Sequence, residues 1–169
     1  MIKTIFASTF LSSLFLIIQT TWLKNGLFWG VIPDFALLVI LWVAYNNKES
    51  QGAISGFLAG LVCDTLSSSP LGYFSFLYVV PAYVASLLKH VVSMDAFFIP
   101  VILGFVGTVL KGFASILLLL LFGPKDISAY SLGDIHFWIE ATLNGAFAPL
   151  LFFALGKTRE LFVTRKVTE

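Results

Sequence analysis

The chain has 169 residues, 59% hydrophobic and 11% charged, with a formal net charge of +1 and a mean hydropathy of +0.97. Soluble domains carry about 25% charged residues, so the composition excludes a water-surrounded globule and points to an integral membrane protein. Cys63 is the only cysteine, which excludes an internal disulfide and a cysteine metal cluster.

No hydrophilic stretch is long enough to fold separately, so residues 1–169 read as a single integral membrane domain. Six apolar segments follow one another along it. The first, Thr4–Thr21, has a basic start at Lys3 and an apolar body like a secretory leader. No A-x-A cleavage pattern follows, and the segment reads as an uncleaved first span.

The second, Val31–Tyr45, and the third, Gln51–Leu66, are short for full crossings and are joined by NNKES, which suits a tight helical hairpin. Six spans are expected; five, with one of these two re-entrant, is the alternative. At IPDF, Asp34 follows Pro33 at the helix start, where a carboxylate caps free N–H groups and meets the positive end of the helix dipole. In the third segment Gly52, Gly56 and Gly60 are spaced four apart and line one helix face, with Asp64 continuing the stripe. Small residues let helices approach closely in lipid, where apolar burial supplies no drive for association. The stripe therefore serves either packing within this bundle or docking of another protein's helix. Asp64 falls at a helix C-terminal end, which the dipole disfavours, so it requires a partner elsewhere.

The serines at 67–69 form a loop and Pro70 starts the fourth segment, Leu71–Leu88. The fifth, Ala96–Phe122, carries Lys111 near its middle. An intramembrane charge costs roughly 2.5–3.5 kcal/mol on insertion scales. In the sixth segment, Leu132–Leu155, Glu140 and Asn144 share one face at similar depth. A buried Lys111–Glu140 pair, a ligand contact and snorkelling are the three readings of this lysine. Residues 157–169 form a mixed-charge amphipathic tail suited to the cytoplasmic membrane surface.

Basic residues orient the chain. With a cytoplasmic amino terminus, Lys3, Lys48, Lys89, Lys157, Arg159, Arg165 and Lys166 fall on the cytoplasmic side and only Lys24 and Lys125 opposite. Both termini are then cytoplasmic by the positive-inside rule, as an even number of spans requires. Trp22, Trp29 and Trp138 fall at expected membrane interfaces. Phosphate loops, nucleophile elbows and His/Glu zinc motifs are missing from the sequence. His90 and His136 have no evident acid or nucleophile beside them. No catalytic residue, metal site, cofactor or nucleic-acid partner is expected.

The ordered set PDFALLVILWVAY, the G-x-x-x-G-F-x-x-G-L-x-x-D run from Gly52 to Asp64, and SSSPLGY resembles the MreD family, the rod shape-determining membrane proteins of bacteria. The resemblance is carried mainly by residues 31–90. It covers Pro33, Asp34, Gly56, Gly60, Asp64, Pro70, Leu71 and Gly72; Lys111 belongs to no motif of it. It implies a non-enzymatic, multi-pass inner-membrane scaffold or regulator of the cell-elongation complex that directs lateral peptidoglycan synthesis. MreC is the implied direct partner, docked through glycine-lined helices, with RodA, its penicillin-binding transpeptidase and MreB reached indirectly. Membrane lipid and a second copy of the chain are further expected contacts. The expected fold class is all-α, a polytopic bundle of six membrane helices. Its architecture is similar to the substrate-binding subunits of energy-coupling-factor vitamin transporters, which supply the alternative function. In that alternative Ala7, Ser8 and Ser12 form the patch that docks a coupling subunit.

Overall fold

A computed structural model describes residues 2–22, 29–67, 69–88, 97–122 and 132–158. Among the described residues there are six helices: α1 (Ile2–Trp22), α2 (Phe35–Asn46), α3 (Glu49–Leu66), α4 (Tyr73–Leu88), α5 (Phe98–Phe122) and α6 (Ile135–Lys157). The six expected segments each hold one of them, and the all-α class stands. Among the described residues, three helices are long and apolar enough to cross a membrane: α1 over Lys3–Thr21, α5 and α6. Most of the tail at 157–169, together with Lys24, Lys125, Lys89 and His90, lies outside the described residues.

The shortest helix is the centre of the bundle. Every other helix packs against α2, and its residues from Ala36 to Ala44 are all buried. That explains a run, FALLVILWVAYN, that is apolar on every side rather than along one stripe. Twelve helical residues are only roughly 18 Å long, against a hydrocarbon core of about 30 Å. Non-helical backbone leads into the helix through Val31, Ile32, Pro33 and Asp34, and all but Ile32 of these are buried. Such backbone is tolerated at membrane depth only where protein or a cavity surrounds it and its donors are satisfied. Here the Asp34 N–H donates to Asn144 Oδ1 at 2.7 Å and the Phe35 N–H to Gln19 Oε1 at 3.2 Å. Pro33 has no N–H to satisfy.

At its far end α2 turns directly into α3 through Asn47 and Lys48, the tight hairpin expected from NNKES. The buried Asn47 closes α2, its backbone N–H donating to Val43 O at 3.1 Å and its Nδ2 to the same oxygen at 2.9 Å.

The glycine stripe faces inward. A Cβ on Gly52 would meet Ala44 of α2 at 2.8 Å, and one on Gly56 the Tyr78 carbonyl oxygen of α4 at 2.9 Å. One on Gly60 would fall against the backbone of Phe74 and Ser75. The stripe thus brings α3 and α4 into backbone contact, which corrects the expectation that it docks a partner: its groove is already filled by α4 and the end of α2. The patch at Ala7, Ser8 and Ser12 is corrected likewise. Thr4, Ser8, Ser12 and Leu16 form the buried face of α1, and Ser8 Oγ donates to Ser55 Oγ of α3 at 3.0 Å. A second close seam joins α5 to α6, where Gly104 lies under the Asn144 backbone and Ala148. Its small residues alternate with large ones in FIPVILGFVGTVLKGF, a pattern the hydropathy profile conceals.

α4 begins at Tyr73, not at Pro70. Pro70 sits in the preceding turn, its carbonyl accepting from the Tyr73 N–H at 3.1 Å. Gly72 takes φ +95° there, a left-handed conformation that glycine adopts without Cβ penalty, and Leu71 is exposed. At α6, Asp134 caps the helix, accepting from the His136 N–H at 3.0 Å. His136 does have an acid beside it, contrary to expectation: its Nδ1 lies 2.8 Å from Asp134 Oδ1. These backbone and ring contacts hold the Asp134 carboxyl below the usual carboxylate range. Both side chains are exposed, and the pair serves the helix terminus.

Candidate functional site

Helix lengths create the site. α2 starts well inside the span of α5 and α6, so the space beyond its amino terminus is walled by longer helices and floored by Asp34. A cavity of about 280 Å³ occupies that space. Leu16, Gln19 and Thr20 of α1, Cys63 and Leu66 of α3, Phe74 and Tyr78 of α4, Lys111 of α5 and Glu140 of α6 help to line it.

Lys111 is the hub of the floor. Its Nζ lies 2.8 Å from Asp34 Oδ2 and 2.6 Å from Glu140 Oε1, and the residue is 1% exposed. The pairing with Glu140 expected from depth is present. Asp34 has a double role: Oδ1 caps α2 by accepting from the Leu37 N–H at 3.0 Å, while Oδ2 holds the lysine. The Tyr78 hydroxyl donates across both carboxylate oxygens at 3.2 Å. α2, α4, α5 and α6 are thereby tied through one set of atoms. Burying three charges is costly, and charge-assisted bonds of this geometry offset that cost only when the remaining lone pairs and protons are also satisfied.

A second line of polar residues extends from the floor. Asn144 accepts from the Asp34 N–H and donates through Nδ2 to Thr108 Oγ1 at 2.8 Å. Thr108 donates to Gly104 O at 2.8 Å. Asn144 is therefore fixed in orientation by a donor on one side and an acceptor on the other.

Asp64 belongs to a different constellation. Its Oδ2 accepts from the Gly72 N–H at 2.9 Å, the Ser75 N–H at 3.3 Å and the Ser75 hydroxyl at 2.9 Å. Its Oδ1 accepts from the Phe74 N–H at 2.7 Å. The partner this carboxylate required is the amino terminus of α4, whose free N–H groups and dipole favour an anion. Asp64 anchors the start of α4 rather than the end of its own helix. Asp64→Asn keeps the shape but turns an NH₂ group toward donors, so a loss of roughly 1–3 kcal/mol is expected. A thermal midpoint unchanged from the parent in the same detergent would refute this assignment.

Of the residues singled out from sequence, Pro33, Asp34, Lys111 and Glu140 meet at the cavity. Gly52, Gly56 and Gly60 lie on the α3 seam, and Asp64, Pro70 and Gly72 at the turn into α4. Sequence reasoning missed Tyr78, Gln19 and Thr108. A tyrosine in the middle of an apolar helix was a usable signal, because a buried hydroxyl requires a partner.

The family model for rod shape-determining protein MreD matches residues 2–158, which includes all six helices and every residue of the cavity. The chain belongs to the MreD family. Its role is therefore in rod shape determination, as a membrane protein. No curated protein and no solved structure matches the chain. Within this MreD chain the match extends well past residues 31–90, into the helices that supply Lys111 and Glu140.

Proposed function

We propose that the protein is a non-enzymatic scaffold of the cell-elongation complex, a single membrane domain that holds MreC beside the wall-synthesis enzymes. Membership of the MreD family carries this reading. RodA and its transpeptidase bind through or next to MreC, and MreB is reached indirectly across the membrane. Both termini are cytoplasmic and all six helices take part in crossing. The four residues before α2 reach at most roughly 14 Å, which with the helix itself comes to about the thickness of the hydrocarbon core. The vitamin-transporter reading draws no support from the family match.

The geometry supports a scaffold by what it leaves available. The glycine face and the polar interior are committed to this chain's own packing, so a partner helix meets the outward faces of the long helices. Phe10 on α1, Phe113 on α5 and Phe153 on α6 are each more than half exposed. Truncating one of them costs little in folding, because exposed surface positions usually shift stability by no more than about 0.5 kcal/mol.

The test is co-purification of the tagged chain from its native membranes in gentle detergent. Recovery of MreC and the elongation synthase is expected, and one of Phe10→Ala, Phe113→Ala and Phe153→Ala is expected to lower it selectively. Recovery of neither protein with the parent chain would overturn the scaffold.

A further inference from the structure

A second cavity, of about 220 Å³, lies at the other end of α2. α5 and α6 approach closely where Gly104 lies under Asn144 and Ala148. One turn further on, Pro100 of α5, Pro149 of α6 and Trp42 and Tyr45 of α2 line the cavity, together with Phe152 and Phe153 of α6. Phe153 is 68% exposed, so the cavity opens on the outward face of α6, which in a membrane meets lipid. Lys157 stands at the mouth: its Nζ lies 4.9 Å from the centre of the Phe153 ring, and its backbone is one turn beyond, about 6 Å along the helix. α6 is long and apolar enough to cross a membrane, which puts its last turn at the level of lipid headgroups. By sequence, residues 157–169 carry four basic and two acidic side chains, so this end of the chain is net positive.

We propose that this cavity holds an acyl chain of an anionic phospholipid whose phosphate meets Lys157. The chain lies against Trp42, Phe152 and Phe153, and the headgroup sits in the interface beside the end of α6. The volume is below the roughly 300–1,000 Å³ of pockets that enclose a whole ligand, which suits part of one chain whose remainder stays in the bilayer. A zwitterionic lipid offers the same tail, but its own ammonium competes with Lys157 for the phosphate. Under the topology proposed above this is the cytoplasmic leaflet, where basic residues next to a span attract anionic lipid.

The test uses the full chain carrying Trp22→Phe, Trp29→Phe and Trp138→Phe, so that Trp42 is the one tryptophan left, in nanodiscs of phosphatidylcholine. A small fraction of phosphatidylglycerol brominated on its acyl chains is added, since bromine quenches tryptophan fluorescence at close range. Phosphatidylcholine with the same brominated chains is the control. Trp42 is 4% exposed, so close contact requires a chain inside the cavity. At equal fractions the glycerol-headed lipid is expected to quench about fivefold more effectively, the preference that one basic residue near the surface confers. Lys157→Gln is expected to make the two lipids equal. Both leaflets carry the same lipid, so the result does not depend on which side the termini face. Neither MreC nor a synthase takes part, so failure here leaves the scaffold reading standing. Equal quenching before Lys157→Gln is introduced, or a preference that survives it, overturns the proposal. An unquenched Trp42 overturns it too, and would leave the cavity to a protein partner. Native mass spectrometry of the chain with all four tryptophans checks the same point without the three substitutions. Retention of phosphatidylglycerol by the parent and its loss from Lys157→Gln are expected, and equal retention overturns the proposal.

Discussion

Lys111→Met is expected to be the most destabilising single change in the molecule. It takes away the ammonium that lies within 2.8 Å of both buried carboxylates, Asp34 and Glu140. Breaking a buried pair by removing one member costs about 3–5 kcal/mol, a large part of the roughly 5–15 kcal/mol that holds a typical domain together. The Tyr78 hydroxyl, which donates to Asp34, cannot replace a full positive charge. The expected result is a sharp fall in the thermal midpoint in detergent, with loss of a single size-exclusion peak. Combining Lys111→Met with Asp34→Asn and Glu140→Gln removes every charge of the set. Much of the loss should then return, because an uncharged replacement avoids the desolvation cost altogether. A Lys111→Met protein as stable as the parent would show that the triad contributes nothing to folding.

Gly60→Ala is expected to be the most damaging of the small-residue substitutions. The added methyl would fall against backbone atoms of Phe74 and Ser75, and that backbone is held by Asp64 through Gly72, Phe74 and Ser75. Neither side can yield cheaply. Overpacking typically costs about 1–3 kcal/mol and occasionally more, and this site belongs at the upper end. Gly56→Ala should cost less, since its nearest neighbours are the Tyr78 carbonyl oxygen at 2.9 Å and the Ala82 Cβ at 3.2 Å. Gly156→Ala, with nothing within 4 Å, should be neutral or stabilising by up to about 1 kcal/mol through helix propensity. Thermal midpoints of the three variants in one detergent check the order. Equal midpoints for Gly60→Ala and Gly156→Ala would refute the close α3–α4 approach.

Both experiments concern features that the sequence made visible to different degrees. The stripe at Gly52, Gly56 and Gly60 was legible because helical periodicity is local: residues four apart share a face whatever surrounds them. What the stripe faces was not, because a small-residue face suits an internal neighbour and a foreign helix equally well. The Lys111–Glu140 pair was legible from depth, since charges within spans seek partners. The second partner was not, because Asp34 already had a sufficient role as a helix cap, which the structure retains alongside the ion pair.

The sequence by itself determined the membrane setting, the six helical segments, the α2–α3 hairpin and the cost attached to Lys111 and Asp64. These follow from composition, segment length and spacing, all of which act over a few residues. Only the tertiary structure decided that the shortest helix is the innermost, that Asp64 serves α4, and that Asp34 and Lys111 meet across 77 positions of chain. Hydropathy cannot supply such facts, because in a membrane a side chain facing lipid and one facing another helix are equally apolar. Which polar groups meet is set by how the long helices enclose the short one, and that enclosure also leaves the cavity above it.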